Sequence, residues 1–391
     1  MNKSVIFVIL ILIVVAGLLG YNYFVQPFAN LYPAASPQAD SVPIEPQLSV
    51  EEQLFAVMSS EQKVAQLLAV SVVISPDSSP SAASVWIKER QPGTVNLFGT
   101  QVDVASVQSE LSQLDGSEWP VPPLIAVDHE GGQVQRLNGQ GFTKLASWRE
   151  LCASQEFDTQ LLSSSAAELR DAGVNVIYGP VVDVGTSAVL GSRICSSHQD
   201  LVIERAGQLI KIYQEHQLLP VIKHFPGIGM IKQDLHTSFA NVSVRPEDAV
   251  VYLELLKQYP LIGVMVSHAG VENQYAQAPC SLSKTCVDEL VGLYPQALVM
   301  TDDLNMESVR YNFRQPDQPK DIVSLTTEAL YAGNDILVFG RSTAVADLDL
   351  VLTELSIKYE SDVTFQKRVD QALLKVIRYK LQLGVLGDSQ Q

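Results

Sequence analysis

The sequence of 391 residues predicts an α/β protein built on a single (β/α)8 barrel of the TIM type. From about residue 50 onwards, eight short apolar runs alternate with helical patterns, and several of the runs are continuous rather than alternating. Continuous apolar runs are typical of strands that are buried on both faces of a parallel sheet, and eight strands close a barrel. An open doubly wound sheet is the alternative, although no glycine-rich nucleotide-binding phrase in the chain favours it.

The barrel prediction rests on a defined set of strands and helices. The predicted strands cover residues 66–74, 94–98, 123–128, 174–184, 219–225, 261–268, 297–304 and 335–339. The predicted helices cover residues 103–114, 159–172, 201–216, 246–258 and 321–332, and a last helix over residues 364–383 closes the domain. Helices placed between strands in this way are typical of crossover connections in a parallel sheet.

The first 26 residues predict a transmembrane signal-anchor. Residues 5–20 form an uninterrupted apolar run, and residues 21–25 add aromatic side chains of the kind found at membrane interfaces. Lys3 precedes the run and no Lys or Arg follows until Lys63, so the positive-inside rule predicts a cytoplasmic N-terminus with the rest of the chain outside. A cleavable signal peptide, cut near Ala16 or Ala29, is the alternative, and the protein would then be secreted.

Residues 27–49 predict a linker between this segment and a folded domain over residues 50–391. Prolines at positions 27, 33, 37, 43 and 46, together with Ala and Ser, resist both helix and strand. The formal net charge of −17 argues against nucleic acid as a partner, because phosphate binding relies on clusters of Lys and Arg. We expect the folded domain to be a monomer.

Polar side chains follow five of the predicted strands at the point where each strand ends. In a (β/α)8 barrel the reacting groups come from the C-terminal ends of different strands, so these side chains are expected to meet in one site. They are Asp128 after the third strand, Asp183 and then Arg193 after the fourth, Lys223 and His224 at the end of the fifth, His268 after the sixth, and Asp302 and Asp303 after the seventh.

The phrase from Lys223 to Gly229, Lys-His-Phe-Pro-Gly-Ile-Gly, is followed by Asp234-Leu235-His236. Glycines at 227 and 229 allow backbone conformations closed to other residues, and they predict a mobile loop that carries the Asp and the His. The whole phrase resembles the signature of glycoside hydrolase family 3, in particular the bacterial exo-β-N-acetylglucosaminidases of the NagZ type. It departs from that signature at Ile228, where a second His is usual.

The resemblance, which covers roughly residues 55–345, also implies a (β/α)8 barrel and assigns the catalytic groups. It implies that Asp302 is the nucleophile of a retaining glycosidase and that His236, oriented by Asp234, is the acid/base. An imidazole suits this role because it titrates near neutral pH and a neighbouring carboxylate fixes its tautomer. From the residues alone, Asp302 is as well explained as a helix cap. Asp303 is expected to be structural, as a cap of the following helix.

The sugar is expected to be held by groups that reach two neighbouring hydroxyls at once. The resemblance implies this role for Asp128, Lys223 and His224. The resemblance also implies that Arg193 holds the sugar, although the residues next to Arg193 depart from the family's pattern. Arg136 is either a ligand contact or an ion-pair partner of Glu130. His268 either contacts the sugar or is hydrogen-bonded beneath the site.

The four cysteines would face an oxidising exterior if the predicted topology is right, and three pairings are then open. Cys152 and Cys195 both follow barrel strands, and Cys280 and Cys286 lie in one passage from loop to helix, which favours those two disulfides. Free buried thiols are the alternative. No metal-binding spacing is present, and we expect neither a metal nor a cofactor.

The sequence therefore predicts a membrane-anchored, extracytoplasmic β-N-acetylhexosaminidase. The implied substrates are glycans with a terminal N-acetylglucosamine, and the family together with the outward topology suggests muropeptides. Two enzymes of the same family are alternatives, a phosphorylase that uses the same His-Asp dyad and a β-glucosidase. A catalytically silent glycan-binding protein is the alternative from another class, motivated by Ile228 and by the altered residues around Arg193.

Overall fold

The computed structural model describes residues 48–74, 81–114, 119–272, 278–310 and 320–386. The predicted signal-anchor and nearly all of the predicted linker lie outside these residues. Within the described part of the chain, no helix is both long and apolar enough to cross a membrane. Residues 49–391 form one compact unit, which begins where the side chain of Ser49 caps the first helix.

Eight parallel strands form a nearly closed barrel, as predicted. In chain order they are β1 (Leu68–Val73), β2 (Thr94–Phe98), β3 (Leu124–Val127), β4 (Val176–Val181), β5 (Leu219–Phe225), β6 (Gly263–Val266), β7 (Leu298–Thr301) and β8 (Leu337–Phe339). Seven neighbouring pairs are hydrogen-bonded in the order β7-β6-β5-β4-β3-β2-β1-β8. A single parallel bridge between Met300 of β7 and Ile336, the residue before β8, links the two ends of this order.

Helices cover the outside of the barrel. They are α1 (Val50–Val57), α2 (Ser60–Ala65), α3 (Ala82–Arg90), α4 (Val104–Leu114), α5 (Trp148–Ala153), α6 (Thr159–Asp171), α7 (Gln199–Glu215), α8 (Pro246–Gln258), α9 (Lys284–Leu293), α10 (Glu307–Arg310), α11 (Ile322–Ala332), α12 (Val345–Ser361) and α13 (Val363–Gln382). At least one helix follows each strand before the next strand begins. The helix α12 packs on both α2 and α11.

Every predicted strand and helix is present, with ends that differ by a few residues. The sequence analysis missed α1, α2, α3, α5, α9, α10 and α12. Three of these carry a capping box, in which Ser49, Ser59 and Ser147 each bond the residue three positions on. That signal is readable in a sequence, because a Ser followed three residues later by Glu or Gln marks a helix start.

Candidate active site

A cavity of about 340 Å³ opens at the C-terminal ends of the strands. Its lining includes eight of the polar residues discussed below: Asp128, Arg136, Arg193, Lys223, His224, His236, Asp302 and Asp303. A side chamber of about 110 Å³ adjoins it and shares Arg193, His224, His236 and Asp302 with it. Seven of the nine residues that the sequence predicts as catalytic or substrate-binding line the main cavity, and Asp234 lines the side chamber.

A buried ion-pair network forms the floor of the cavity. Glu130 Oε2 accepts a hydrogen bond from Arg193 Nε at 2.8 Å. Its Oε1 accepts from Arg193 Nη2 at 2.9 Å and lies 2.6 Å from Lys223 Nζ. Lys223 also donates to Asp128 at 2.6 Å. Burial raises the pKa of Glu130, but the charges of Lys223 and Arg193 outweigh it and hold that pKa well below its ordinary value. The floor is therefore a set of fixed, paired charges.

Lys223 and His224 are consecutive, yet both side chains reach the cavity. Neighbouring side chains of a strand normally point to opposite faces. Here the register of β5 against β6 shifts between Lys223 and Phe225, and such an extra residue re-aims a side chain. The irregularity explains how one strand end supplies two adjacent polar groups.

Asp183 positions His224, a role that the sequence analysis did not assign to it. Its carboxylate is fully buried and accepts from His224 Nδ1 at 2.7 Å. Because Nδ1 donates to a carboxylate, the Nε2 of His224 is free to accept, and Arg193 Nη2 lies 3.3 Å from it. The other oxygen of Asp183 accepts from the backbone N–H of Ile228 at 2.7 Å. In the sequence, the signal for this role is a single carboxylate close to the end of the apolar fourth strand.

Asp302 is half-buried in the turn after β7. Its Oδ1 accepts the backbone N–H of Asp303 at 2.8 Å. Partial burial raises the pKa of Asp302, but the imidazoles of His224 and His268 and the N–H of Asp303 bring it below the ordinary value. Asp302 is therefore an ionised carboxylate facing the cavity.

Asp303 is structural, as expected, but it does not cap the following helix. Its Oδ1 accepts the backbone N–H of Asn305 at 2.9 Å and that of Gly340 at 2.8 Å. These bonds tie the end of β7 to the segment after β8. Burial raises the pKa of Asp303, in the opposite direction to that of Asp302.

His268 lies beneath the cavity and does not line it. It is fully buried, with Nδ1 2.6 Å from Ser281 Oγ and Nε2 2.9 Å from the backbone oxygen of Asp303. Both ring nitrogens are thus engaged. These hydrogen bonds support the alternative, a histidine hydrogen-bonded beneath the site, and a contact of His268 with the sugar stays a prediction.

Arg136 pairs with Asp128 and not with Glu130, the partner that the sequence analysis considered. Its Nε lies 3.9 Å from Asp128 Oδ2, and its guanidinium lies over the ring of Phe98 at 5.3 Å from the centroid. Arg136 does not pair with Glu130 because Lys223 and Arg193 already occupy that carboxylate.

The loop after β5 carries the Asp234–His236 dyad at the cavity mouth. His236 Nδ1 lies 2.8 Å from Asp234 Oδ1, which also accepts the backbone N–H of His236 at 2.9 Å. Both side chains are more than half exposed. Burial raises the pKa of Asp234, but the hydrogen bonds from His236 outweigh it and lower that pKa, so the carboxylate holds Nδ1 and leaves Nε2 available.

Apolar side chains fasten this loop, although the sequence predicts it to be mobile. Ile228, Ile231 and Leu235 are each at most 5% exposed, and Leu235 lies between the two members of the dyad. Gly227 has φ of 116°, and at Gly229 a Cβ would lie 1.9 Å from the backbone oxygen of Val184. Ile228 therefore replaces the usual histidine with an apolar anchor.

Two disulfides form in the described part of the chain, and they confirm the favoured pairing. Cys152 bonds Cys195, which follows Arg193 by two residues, and Cys280 bonds Cys286. The second disulfide adjoins Ser281, the partner of His268. Among the described residues, no group of His, Cys, Asp and Glu could hold a metal ion.

Comparisons with known proteins find relatives that cover most of the chain. The sequence profile of the Glycosyl hydrolase family 3 N terminal domain matches residues 59–379. Beta-hexosaminidase LpqI of Mycobacterium tuberculosis is 28% identical over 358 residues, which cover 87% of this chain and 87% of that protein. A beta-hexosaminidase of Bordetella avium is 31% identical over 274 residues, covering 66% of this chain and 76% of that protein. The solved structure of M. tuberculosis LpqI superposes with a TM-score of 0.73 at 26% identity, covering 85% of this chain and 97% of that chain.

Proposed function

The chain belongs to glycosyl hydrolase family 3, and on that premise we propose that it is a retaining β-N-acetylhexosaminidase acting through a glycosyl-Asp302 intermediate. The observation that carries the mechanism is the shared cavity of Asp302 and His236. Asp302 is an ionised carboxylate on a strand end, and His236 is an imidazole whose Nδ1 is held by Asp234. A retaining glycosidase needs one group of each kind.

In the first step, an oxygen of Asp302 attacks the anomeric carbon as the bond from that carbon to the leaving-group oxygen breaks. His236 gives its Nε2 proton to the departing oxygen. In the second step, a water molecule attacks the same carbon, His236 Nε2 takes the water's proton, and Asp302 departs. Two inversions give a sugar with the original β configuration.

The same proposal assigns the terminal N-acetylglucosamine to the floor of the cavity. Asp128, Lys223, His224 and Arg193 supply acceptors and donors there, and Arg136 adds a further guanidinium at the edge. Because the floor charges already hold one another through short contacts, the site is organised before a sugar arrives. Groups fixed in advance lose little entropy on binding.

Muropeptides outside the cytoplasm are the proposed natural substrates, with residues 1–26 as the membrane anchor. The two disulfides support this location, because disulfides persist in oxidising compartments. A reporter that is active only outside the cytoplasm, fused after residue 60, should be active. Activity of a cytoplasmic reporter at the same point would reverse the topology.

Phosphorolysis is the second candidate, because the proposed acid/base is an imidazole. A carboxylate in that position would repel an incoming phosphate, whereas His236 would not. The two enzymes differ only in whether water or phosphate attacks the glycosyl-Asp302 intermediate.

One assay of the full-length protein tests these assignments together. It compares 4-nitrophenyl β-N-acetylglucosaminide with the matching β-glucoside, with and without phosphate, and follows the product by NMR. We expect release of β-N-acetylglucosamine from the first substrate only. A sugar 1-phosphate would favour the phosphorylase, faster cleavage of the glucoside would favour a β-glucosidase, and binding without cleavage would indicate a silent glycan-binding protein.

A further inference from the structure

Two arginines at the mouth of the cavity share one aromatic ring. Arg136 follows β3 and Arg341 follows β8, and their guanidinium carbons lie 5.3 and 5.9 Å from the centroid of Phe98. All three residues line the main cavity. Contact between a guanidinium and an aromatic face stabilises the side chain without using any of its N–H donors.

Neither arginine makes a side-chain hydrogen bond with a residue that the structure describes. The Nε of Arg136 is buried without a hydrogen-bond partner, and its nearest carboxylate oxygen, on Asp128, is 3.9 Å away. Asp128 makes a much shorter contact, 2.6 Å, with Lys223. Arg341 is exposed, its guanidinium lies over the ring of Phe98, and it forms no ion pair with a described residue. Guanidinium groups left in this state are suited to bidentate binding of a carboxylate or a phosphate.

Arg341 lies apart from the groups that the proposed function assigns to the terminal sugar, whereas Arg136 borders one of them, Asp128. Glu130, Lys223 and His224 lie at the floor, with side chains at most 6% exposed, whereas Arg341 lies at the rim. His236, which donates the proton to the leaving group under the proposed function, is also at the mouth, with 68% of its side chain exposed. The leaving group therefore occupies the mouth, and a charge at the rim faces the leaving group rather than the terminal sugar.

We propose that Arg341, supported by the ring of Phe98, forms a subsite for a carboxylate carried by the leaving group, so that the enzyme selects acidic β-N-acetylglucosaminides. The inference rests on the proposed function. It also answers an electrostatic problem, because a chain with a net charge of −17 repels anionic substrates unless local cations compensate. Phe98 adds an apolar surface beside the two guanidiniums.

The test uses two synthetic substrates and the full-length protein. One is 4-(carboxymethyl)phenyl β-N-acetylglucosaminide, and the other is its neutral carboxamide. The methylene group insulates the phenol, so both leaving groups depart with similar ease and differ mainly in charge. The measured quantity is the ratio of kcat/KM for the acid to kcat/KM for the amide, at low and at high salt.

We expect the wild-type ratio to exceed one and to fall with added salt. Arg341→Gln should lower the ratio by about 3- to 20-fold, the range for one guanidinium contact with a carboxylate that is partly exposed to solvent. Arg341→Lys keeps the charge without the planar fork and should give an intermediate ratio. Arg378→Gln is the matched control, because Arg378 is exposed on α13 beside Tyr379, which contacts the opposite end of the barrel. That variant should keep the wild-type ratio.

Four results would overturn the proposal. A wild-type ratio near one, or an unchanged ratio in Arg341→Gln, would remove the subsite and leave the hydrolase intact. Formation of N-acetylglucosamine 1-phosphate from inorganic phosphate by the wild type, lost in Arg341→Gln, would assign Arg341 to phosphate instead. No cleavage of either substrate by the wild type would refute the proposed function and the subsite together.

Discussion

The carboxylate of Asp183 lies 2.7 Å from Nδ1 of His224, and its second oxygen accepts the N–H of Ile228, where the loop of the Asp234–His236 dyad begins. One buried side chain thus joins a group at the cavity floor to the loop that carries the proposed acid/base. The connection lies in the positions of the side chains and not in any sequence motif.

Replacing Asp183 by Asn should weaken both connections. The amide nitrogen of Asn would face one of two N–H donors, so one of the two hydrogen bonds is lost. We expect kcat/KM to fall by about 10- to 100-fold, the equivalent of one hydrogen bond to a charged group. Steady-state kinetics beside Asp200→Asn, an exposed change of the same charge on α7, provide the check. Values within twofold of wild type would show that Asp183 does not position the site.

Glu130→Gln should destabilise the protein in a pH-dependent way. The folded pKa of Glu130 lies below its ordinary value of 4.5, so the unfolded state binds the proton first. Its contribution to stability is therefore complete above about pH 4.5 and is lost as the pH falls towards the folded pKa. At pH 7 the variant should lose about 3–5 kcal/mol, because Arg193 loses its carboxylate partner and the buried Lys223 keeps only Asp128. Urea unfolding at pH 7 and at pH 4 should show a smaller difference from wild type at pH 4, and an equal difference at both would contradict the assignment.

His236→Ala should separate the acid/base from the nucleophile. Protonation matters most for a poor leaving group, so the variant should lose far more activity on a disaccharide than on an activated aryl glycoside. With the aryl substrate, azide should restore turnover and give a β-glycosyl azide, because azide needs no general base. Equal losses on both substrates without rescue would mean that His236 only positions the sugar.

The two disulfides should contribute unequally to stability. Cys152 and Cys195 are 43 residues apart, whereas Cys280 and Cys286 are six apart. Loop-closure entropy assigns about 4 kcal/mol to the first and about 2 kcal/mol to the second. Denaturant unfolding of the two double-alanine variants checks this order, and a larger loss for the 280–286 pair would show that local packing, not chain entropy, dominates.

The fold could be predicted because the strands of a parallel barrel are buried on both faces, so that each strand appears in the sequence as a run of apolar residues. The missed helices lack so clear a pattern of apolar residues, although three of them begin with a capping box. α12 is one example, because no side-chain cap marks its start and its burial depends on contacts with α2 and α11, distant in sequence.

The site was predictable as a set of residues but not as a set of contacts. Strand ends indicated which side chains would meet. Sequence alone did not indicate that Lys223 and Arg193 would share Glu130, which left Arg136 with Asp128. Nor did it indicate that both nitrogens of His268 would be taken by Ser281 and the backbone of Asp303. In each case several polar groups could have bonded the same partner, and only their positions in the folded protein show which of them does.

The most direct test of the account is the identity of the residue that becomes glycosylated. A 5-fluoro N-acetylglucosaminyl fluoride forms the glycosyl-enzyme quickly and releases it slowly, so mass spectrometry of a digest can locate the adduct. We predict a single label on Asp302, absent from Asp302→Ala and retained in His236→Ala. A label on Asp303 or Glu130, or an unlabelled protein that still turns over the substrate, would contradict the glycosyl-Asp302 mechanism.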